Sequence, residues 1–181
     1  KSYGIMVILA IMKFYQTPEI KKMLKQSKLK EKENLAFAKR ITKKKPKGLD
    51  KAFHEANKEV FAKTDCLDCG NCCIIAQPVF FPKDITRMAN HLKMTRDDFK
   101  EKYLVFNKKD DYWETKGTPC VFLKEDKKCG VYEARPDGCR EYPHMYKPKI
   151  TTHLPLIQQH VAICPAVYQV VEKIKEKFPE I

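Results

Sequence analysis

Apolar residues recur at helical spacing in three stretches of the chain and alternate at strand-like spacing in a fourth. Leu49, Ala52, Phe53, Ala56, Val60 and Phe61 share one helical stripe, and Ile85, Met88, Ala89 and Leu92 repeat at i, i+3, i+4 and i+7 after Pro82. Val167, Val170, Val171, Ile174 and Phe178 form a third stripe behind Pro165. Start signals agree with these periods. Thr17-Pro18-Glu19 is an N-cap, a first-turn proline and an acidic residue suited to the helix dipole. Thr95 and Asp98 form an acidic variant of the capping box, and Met94 and Phe99 are spaced as a hydrophobic staple, so a short helix begins at Thr95. Pro46 and Gly48 interrupt the helical pattern and mark a boundary.

Residues 103–133 read differently. Leu104-Val-Phe, Asp111-Tyr-Trp-Glu, Cys120-Val-Phe-Leu and Cys129-Gly-Val-Tyr are short strand candidates, separated by the polar turns 107–110 and 124–128. The predicted class is α+β: a small antiparallel meander flanked by helices. Three segments are expected: an apolar run in 1–12, a basic helical extension over 13–59, and a cysteine-bearing domain over 60–181. The nine apolar residues Gly4–Met12 fall short of the roughly 20 that span a bilayer, and no function is assigned to them. Met6 or Met12 is a candidate start.

Charge is uneven along the chain. Residues 1–65 hold 17 Lys/Arg against 7 Asp/Glu, so most of the net charge of +13 lies there. Clustered lysines attract phosphates, which makes RNA or ribosome contact through the basic segment an alternative function. The competing reading is a solvated helical face.

Eight cysteines change the picture most. Cys66, Cys69, Cys72 and Cys73 fall within eight residues, and Cys120, Cys129, Cys139 and Cys164 follow at longer intervals. Two cysteines three apart on a tight turn can aim both sulfurs at one point, and Gly70 is placed for the positive φ such a turn needs. Bridges inside so short a loop would stabilise little, and the lysine-rich composition suits a reducing, cytoplasmic setting. All eight cysteines are therefore candidate metal ligands, for zinc or an iron–sulfur cluster. Successive side chains in extended chain point to opposite sides, so one of Cys72 and Cys73 is expected to serve a first site and the other a second site or to remain a buried thiol. One arrangement joins Cys66, Cys69 and Cys72 to a remote cysteine, with Cys73 joining two or three of the others. Arg135 and Arg140 are expected to favour a thiolate at Cys139, as is the helix beginning at Pro165 for Cys164. His54 and His91 read as surface residues of amphipathic helices. His144 is the histidine best placed to assist a site.

In order, Cys66-x2-Cys69-Gly-x-Cys72-Cys73, Pro119-Cys120-x-Phe-Leu123 and Cys129-x-Val-Tyr-Glu-x-Arg-Pro-x-x-Cys139-Arg-x-Tyr-Pro143 resemble the CxxCxxCC cysteine-cluster family over roughly residues 60–170. The resemblance implies an intracellular zinc- or iron-chelating domain of undefined activity. The family also includes flagellin lysine N-methylase, which implies a protein-lysine methylation alternative with Arg135, Arg140 and Tyr142 near an anionic cofactor. The glycine-rich strand–turn–helix by which many methyltransferases hold their cofactor does not occur in this sequence.

Overall fold

The computed structural model describes residues 17–181; the apolar run of 1–12 lies outside them. In chain order the elements are α1 (Pro18–Leu29), α2 (Glu31–Lys44), α3 (Leu49–Phe61), the single turns α4 (Cys66–Cys69) and α5 (Asn71–Ile75), β1 (Val79–Phe80), α6 (Pro82–His91), α7 (Arg96–Tyr103), β2 (Leu104–Asn107) and β3 (Tyr112–Thr115). A 3-10 turn at Tyr132–Ala134, α8 (Asp137–Arg140), a second 3-10 turn at Ile150–Thr152, α9 (Leu154–Val161) and α10 (Pro165–Lys177) complete the chain. The class is α+β, mostly helical, with one three-stranded antiparallel sheet ordered β1-β3-β2. Contacts gather the described chain into two units: 66–142, and 17–65 together with 143–181. The C-terminal helices share a core with the basic helices.

In the helical unit, α10 packs against α3 and α1, while α9 packs against α10 and α2. The stripe of α3 is buried at Leu49, Ala52, Phe53, Ala56 and Val60, and that of α10 at Val167, Val170, Val171 and Ile174. Phe61 and Phe178, at the ends of their stripes, are half-buried. Thr17 caps α1 by accepting from the Ile20 N–H at 3.4 Å. The basic segment is part of this core, since Phe37, Ala38 and Ile41 of α2 are buried. Lys45 and Gly48 turn the chain into α3 through left-handed backbone at the expected boundary. Asp50 then accepts the N–H groups of Lys149 and Ile150 at 2.8 and 3.0 Å.

In the cysteine-bearing unit, Phe80, Ile85, Met88, Ala89, Phe99 and Leu104 form the core. Phe99 stacks with Phe122 at 6.1 Å and meets Tyr103 at 5.4 Å. Thr95 caps α7, accepting from the Asp98 N–H at 3.1 Å, as its spacing predicts. Strand register pairs Phe106 with Trp113 and Phe80 with Trp113 on either side of β3.

Two strand expectations need correction, and one strand was not foreseen. Residues 120–123 and 129–132 do not extend the sheet; they meet in a single bridge, Leu123 to Cys129. The N–H groups of Phe122 and Val131 face cysteine sulfurs, and that of Leu123 is shared between the Cys120 sulfur and carbonyl, instead of meeting a neighbouring strand. The third strand of the sheet is β1. Its two residues, set between Pro78 and Pro82, pair with β3 far along the chain.

Candidate metal centre

The cysteine run forms two helical turns hinged at Gly70, whose φ is +59°. A Cβ at this position would lie 3.2 Å from the Lys127 carbonyl, so the hinge needs glycine both for its backbone angle and for the closeness of the 124–128 turn. The Gly70 N–H closes on the Cys66 carbonyl at 3.0 Å, and the Ala76 N–H on the Cys72 carbonyl at 2.8 Å. The next cysteine is joined directly: the Cys120 N–H donates to the Cys73 carbonyl at 2.7 Å. From Cys120 the chain turns back, with Leu123 N–H on the Cys120 carbonyl at 2.9 Å and Gly130 N–H on the Phe122 carbonyl at 2.8 Å. This return places Cys129 opposite Leu123.

Cys139 reaches the same region by a different route. It sits on α8, whose N-terminus is held by a buried carboxylate on α6. Asp84, with a side chain that is 0% exposed, accepts the Asp137 N–H at 3.0 Å and the Arg87 Nη2 at 2.5 Å. Arg87 in turn donates to the carbonyls of Ala134 and Arg135, at 3.2 and 2.9 Å, and to Asp137 at 3.0 Å. Lys83 adds a 2.6 Å ion pair to Asp137, which, with Arg87, holds that carboxyl below its usual range. Asp84 and Arg87 went unread in the sequence. The signal was available only as a buried-acid position at the start of α6, because its partners lie some 50 residues on.

These connections put Cys69, Cys120, Cys129 and Cys139 within electrostatic reach of Cys73. The Cys72 thiol donates to Cys73 and lowers its pKa despite burial. When ionised, Cys73 raises Cys69, Cys120, Cys129 and Cys139. For all four, burial is the larger cause, and it pushes the Cys120 thiol up to about 12. Arg135 does lower Cys139, yet burial and the charges of Cys73, Cys120 and Cys129 outweigh it, so the thiol is raised and not lowered as its arginine neighbours suggested. Backbone N–H groups also face the sulfurs: Asn71 at Cys69, Phe122 and Leu123 at Cys120, and Val131 at Cys129. Three of these four donors lie two residues beyond the cysteine they serve. Such bonds favour the anionic form and orient the sulfur.

The donor set fits a soft cation. Buried thiolates repel one another, and an ion among them is what allows several to ionise together. As the side chains stand, no three Cys, His, Asp or Glu residues converge in ligating geometry among the described residues. None of the eight cysteines is in a disulfide.

The remaining candidates are placed elsewhere. Cys66 is exposed at the start of α4. Cys164 belongs to the helical unit, at the N-cap of α10, with its N–H on the His160 carbonyl at 2.8 Å. His144 belongs to that unit as well, its ring 6.4 Å from His160, whose pKa falls to about 4 through burial and the neighbouring imidazole. His54 and His91 are exposed, as their helical positions predict. Arg135 lies 3.6 Å over the Tyr132 ring and donates to the Tyr132 carbonyl, and Arg140 donates to the carbonyls of Arg135 and Glu133. Both arginines brace the loop that carries Cys139.

Comparison with known proteins places the chain by its cysteine pattern. It belongs to the CxxCxxCC family, described as a putative zinc- or iron-chelating domain, which residues 65–165 match. Over 81 residues it is 36% identical to the uncharacterized protein MJ0661 of Methanocaldococcus jannaschii, an alignment covering 44% of this chain and 43% of that relative. The chain thus spans less than half the length of the curated relative. No solved structure matches it. Among the described residues no helix is long and apolar enough to cross a membrane.

Proposed function

We propose that the protein is a cytoplasmic metal-binding protein whose 66–142 unit holds zinc or an iron–sulfur cluster through Cys73, Cys120, Cys129 and Cys139, with Cys69 as an adjoining donor. The observation that supports this is that Cys120, Cys129 and Cys139, from separate stretches of chain, come within electrostatic reach of Cys73. The loop from Lys116 to Tyr142 has little apolar burial of its own, which suits a region ordered by an ion. Cys66 and Cys72, on the same turns as Cys69 and Cys73, are further candidate donors of this unit, and Cys164 is a candidate donor within the helical unit. The bound group would supply fold stability and, if it is an iron–sulfur cluster, electron-transfer capacity.

Anaerobic purification of the full chain, with metal and sulfide analysis, tests the reading. Bound zinc, or iron with sulfide and absorption near ~400 nm (a thiolate–iron band), is expected. Serine at Cys73, Cys120, Cys129 or Cys139 should remove the metal. Metal-free protein with eight titratable thiols would overturn the reading.

A second reading, contact with RNA or the ribosome, is favoured by the exposure of Lys22, Lys25 and Lys28 on α1 and of Lys32, Lys39 and Lys43 on α2. Deleting the segment would remove core residues of α2, so charge reversal of these lysines is the sound test. Each lost phosphate contact should lower the salt slope of RNA affinity by about one. A slope unchanged by reversal would exclude it.

A further inference from the structure

The helical unit contains a groove of about 640 Å³ between α1–α2 on one side and α9 on the other. Its walls are mainly apolar: Leu35, Ala38, Leu154, Pro155, Val161 and Ala162. The size and lining match those of small-molecule sites, which pair apolar walls with a few fixed polar groups. The groove is held open by structure on both sides. Ser27, 2% exposed, donates to the Val161 carbonyl at 2.6 Å and pins α1 to α9.

One polar group in the lining stands out. Asn34 is 1% exposed, and its Oδ1 accepts from the Lys175 Nζ. That contact fixes the amide orientation, because an ammonium donates only to the oxygen. Lys175 itself is held by Glu33 at 2.6 Å and Glu172 at 2.7 Å. The amide cannot turn over without breaking this network. Its Nδ2 therefore stays a donor, and it has no acceptor among the described residues although it is buried. Leaving a buried donor unmet is costly, so a residue locked in this state is matched to an oxygen from outside the chain. Glu31 and Lys39, which also line the groove, carry opposite charges, so the lining does not select for net charge.

We propose that this groove is a binding site for a small, largely apolar molecule bearing a carbonyl oxygen, with Asn34 Nδ2 as the donor that orients it. All of its lining belongs to the helical unit, and the inference does not depend on what metal the 66–142 unit holds.

Benzophenone and diphenylmethane test this directly, since they have nearly the same shape and differ in the carbonyl oxygen. Calorimetry on the full chain as purified should show benzophenone binding about tenfold more tightly, the effect of satisfying a buried donor. Irradiation of the benzophenone complex should label peptides from 27–42 and 154–162. Asn34→Asp keeps the acceptor for Lys175 and removes the donor, so it should erase the preference between the two compounds. Ala162→Phe fills the groove and should weaken both, which keeps the test decisive if Asn34→Asp fails to fold. Equal binding of the two compounds, binding of neither, labelling elsewhere, or a preference that survives Asn34→Asp would each overturn the proposal.

Discussion

The helical unit buries Ile41, Phe53, Ile157, Val167 and Ile174 along the faces of regular helices, whereas Val131 and Ala134 are the buried apolar side chains between Lys116 and Tyr142 among the described residues. The first region also ties its surface together with ion pairs, Lys173–Glu59 at 2.8 Å and Lys177–Glu55 at 2.9 Å among them. In the second, backbone N–H groups turn toward sulfur, and a buried aspartate holds the turn that presents Cys139. Apolar burial of this kind is present in any folded state. Order that rests on converging thiols waits on an ion. The two regions should therefore respond oppositely to chelation and to core truncation.

The largest expected effect separates them outright. Removing metal with a strong chelator should release the 116–142 segment while the helical unit keeps its amide protection, as hydrogen exchange would show; structural zinc sites contribute an apparent ~10–16 kcal/mol. Uniform protection before and after would erase the distinction. Next, Asp84→Ala leaves the Asp137 and Phe81 N–H groups without their acceptor, and should cost about 2–5 kcal/mol in denaturant unfolding along with weaker metal retention. Ile174→Ala is the counterpart in the helical unit: a loss of about 2–5 kcal/mol with metal content unchanged. Gly70→Ala should cost about 1–2 kcal/mol from the left-handed backbone, plus crowding against Lys127, and should reduce metal occupancy.

The smallest effect is a pH dependence in the helical unit. Burial raises the Glu172 carboxyl, but hydrogen bonds from Lys175 and Lys30 outweigh it and hold the pKa below 4.5. A depressed carboxyl contributes stability that is complete above its unfolded value and is lost as pH falls below 4.5 through the folded one. Denaturant midpoints for the Glu172→Gln protein should therefore fall less steeply on acidification than those of the parent. Parallel pH profiles would remove Glu172 from the account.

Sequence legibility followed the same divide. Stripes at 49–60, 85–92 and 167–174, and the caps at Thr17 and Thr95, are local, and each lies where the spacing placed it. Gly70 was legible for a similar reason, since one residue's backbone angle decides it. After Pro119 the alternation of apolar residues predicts strands, but alternation says nothing about where N–H groups point. At Phe122 and Val131 they point to sulfur. β1 is two residues long, and its partner Trp113 lies 33 positions away, a pairing no local pattern announces. The Asp84–Arg87–Asp137 network was likewise hidden, since its members are joined by folding and not by spacing. The ligand candidates themselves were legible from cysteine spacing, while their grouping depends on the return of the chain at 124–128.

X-ray absorption at the metal edge of the purified full chain tests the central claim most directly. A first shell made of sulfur alone, near ~2.3 Å for zinc, and lost when Cys73 or Cys139 is replaced by serine, is the predicted result. A shell dominated by oxygen or nitrogen, or one unchanged by either substitution, would contradict it.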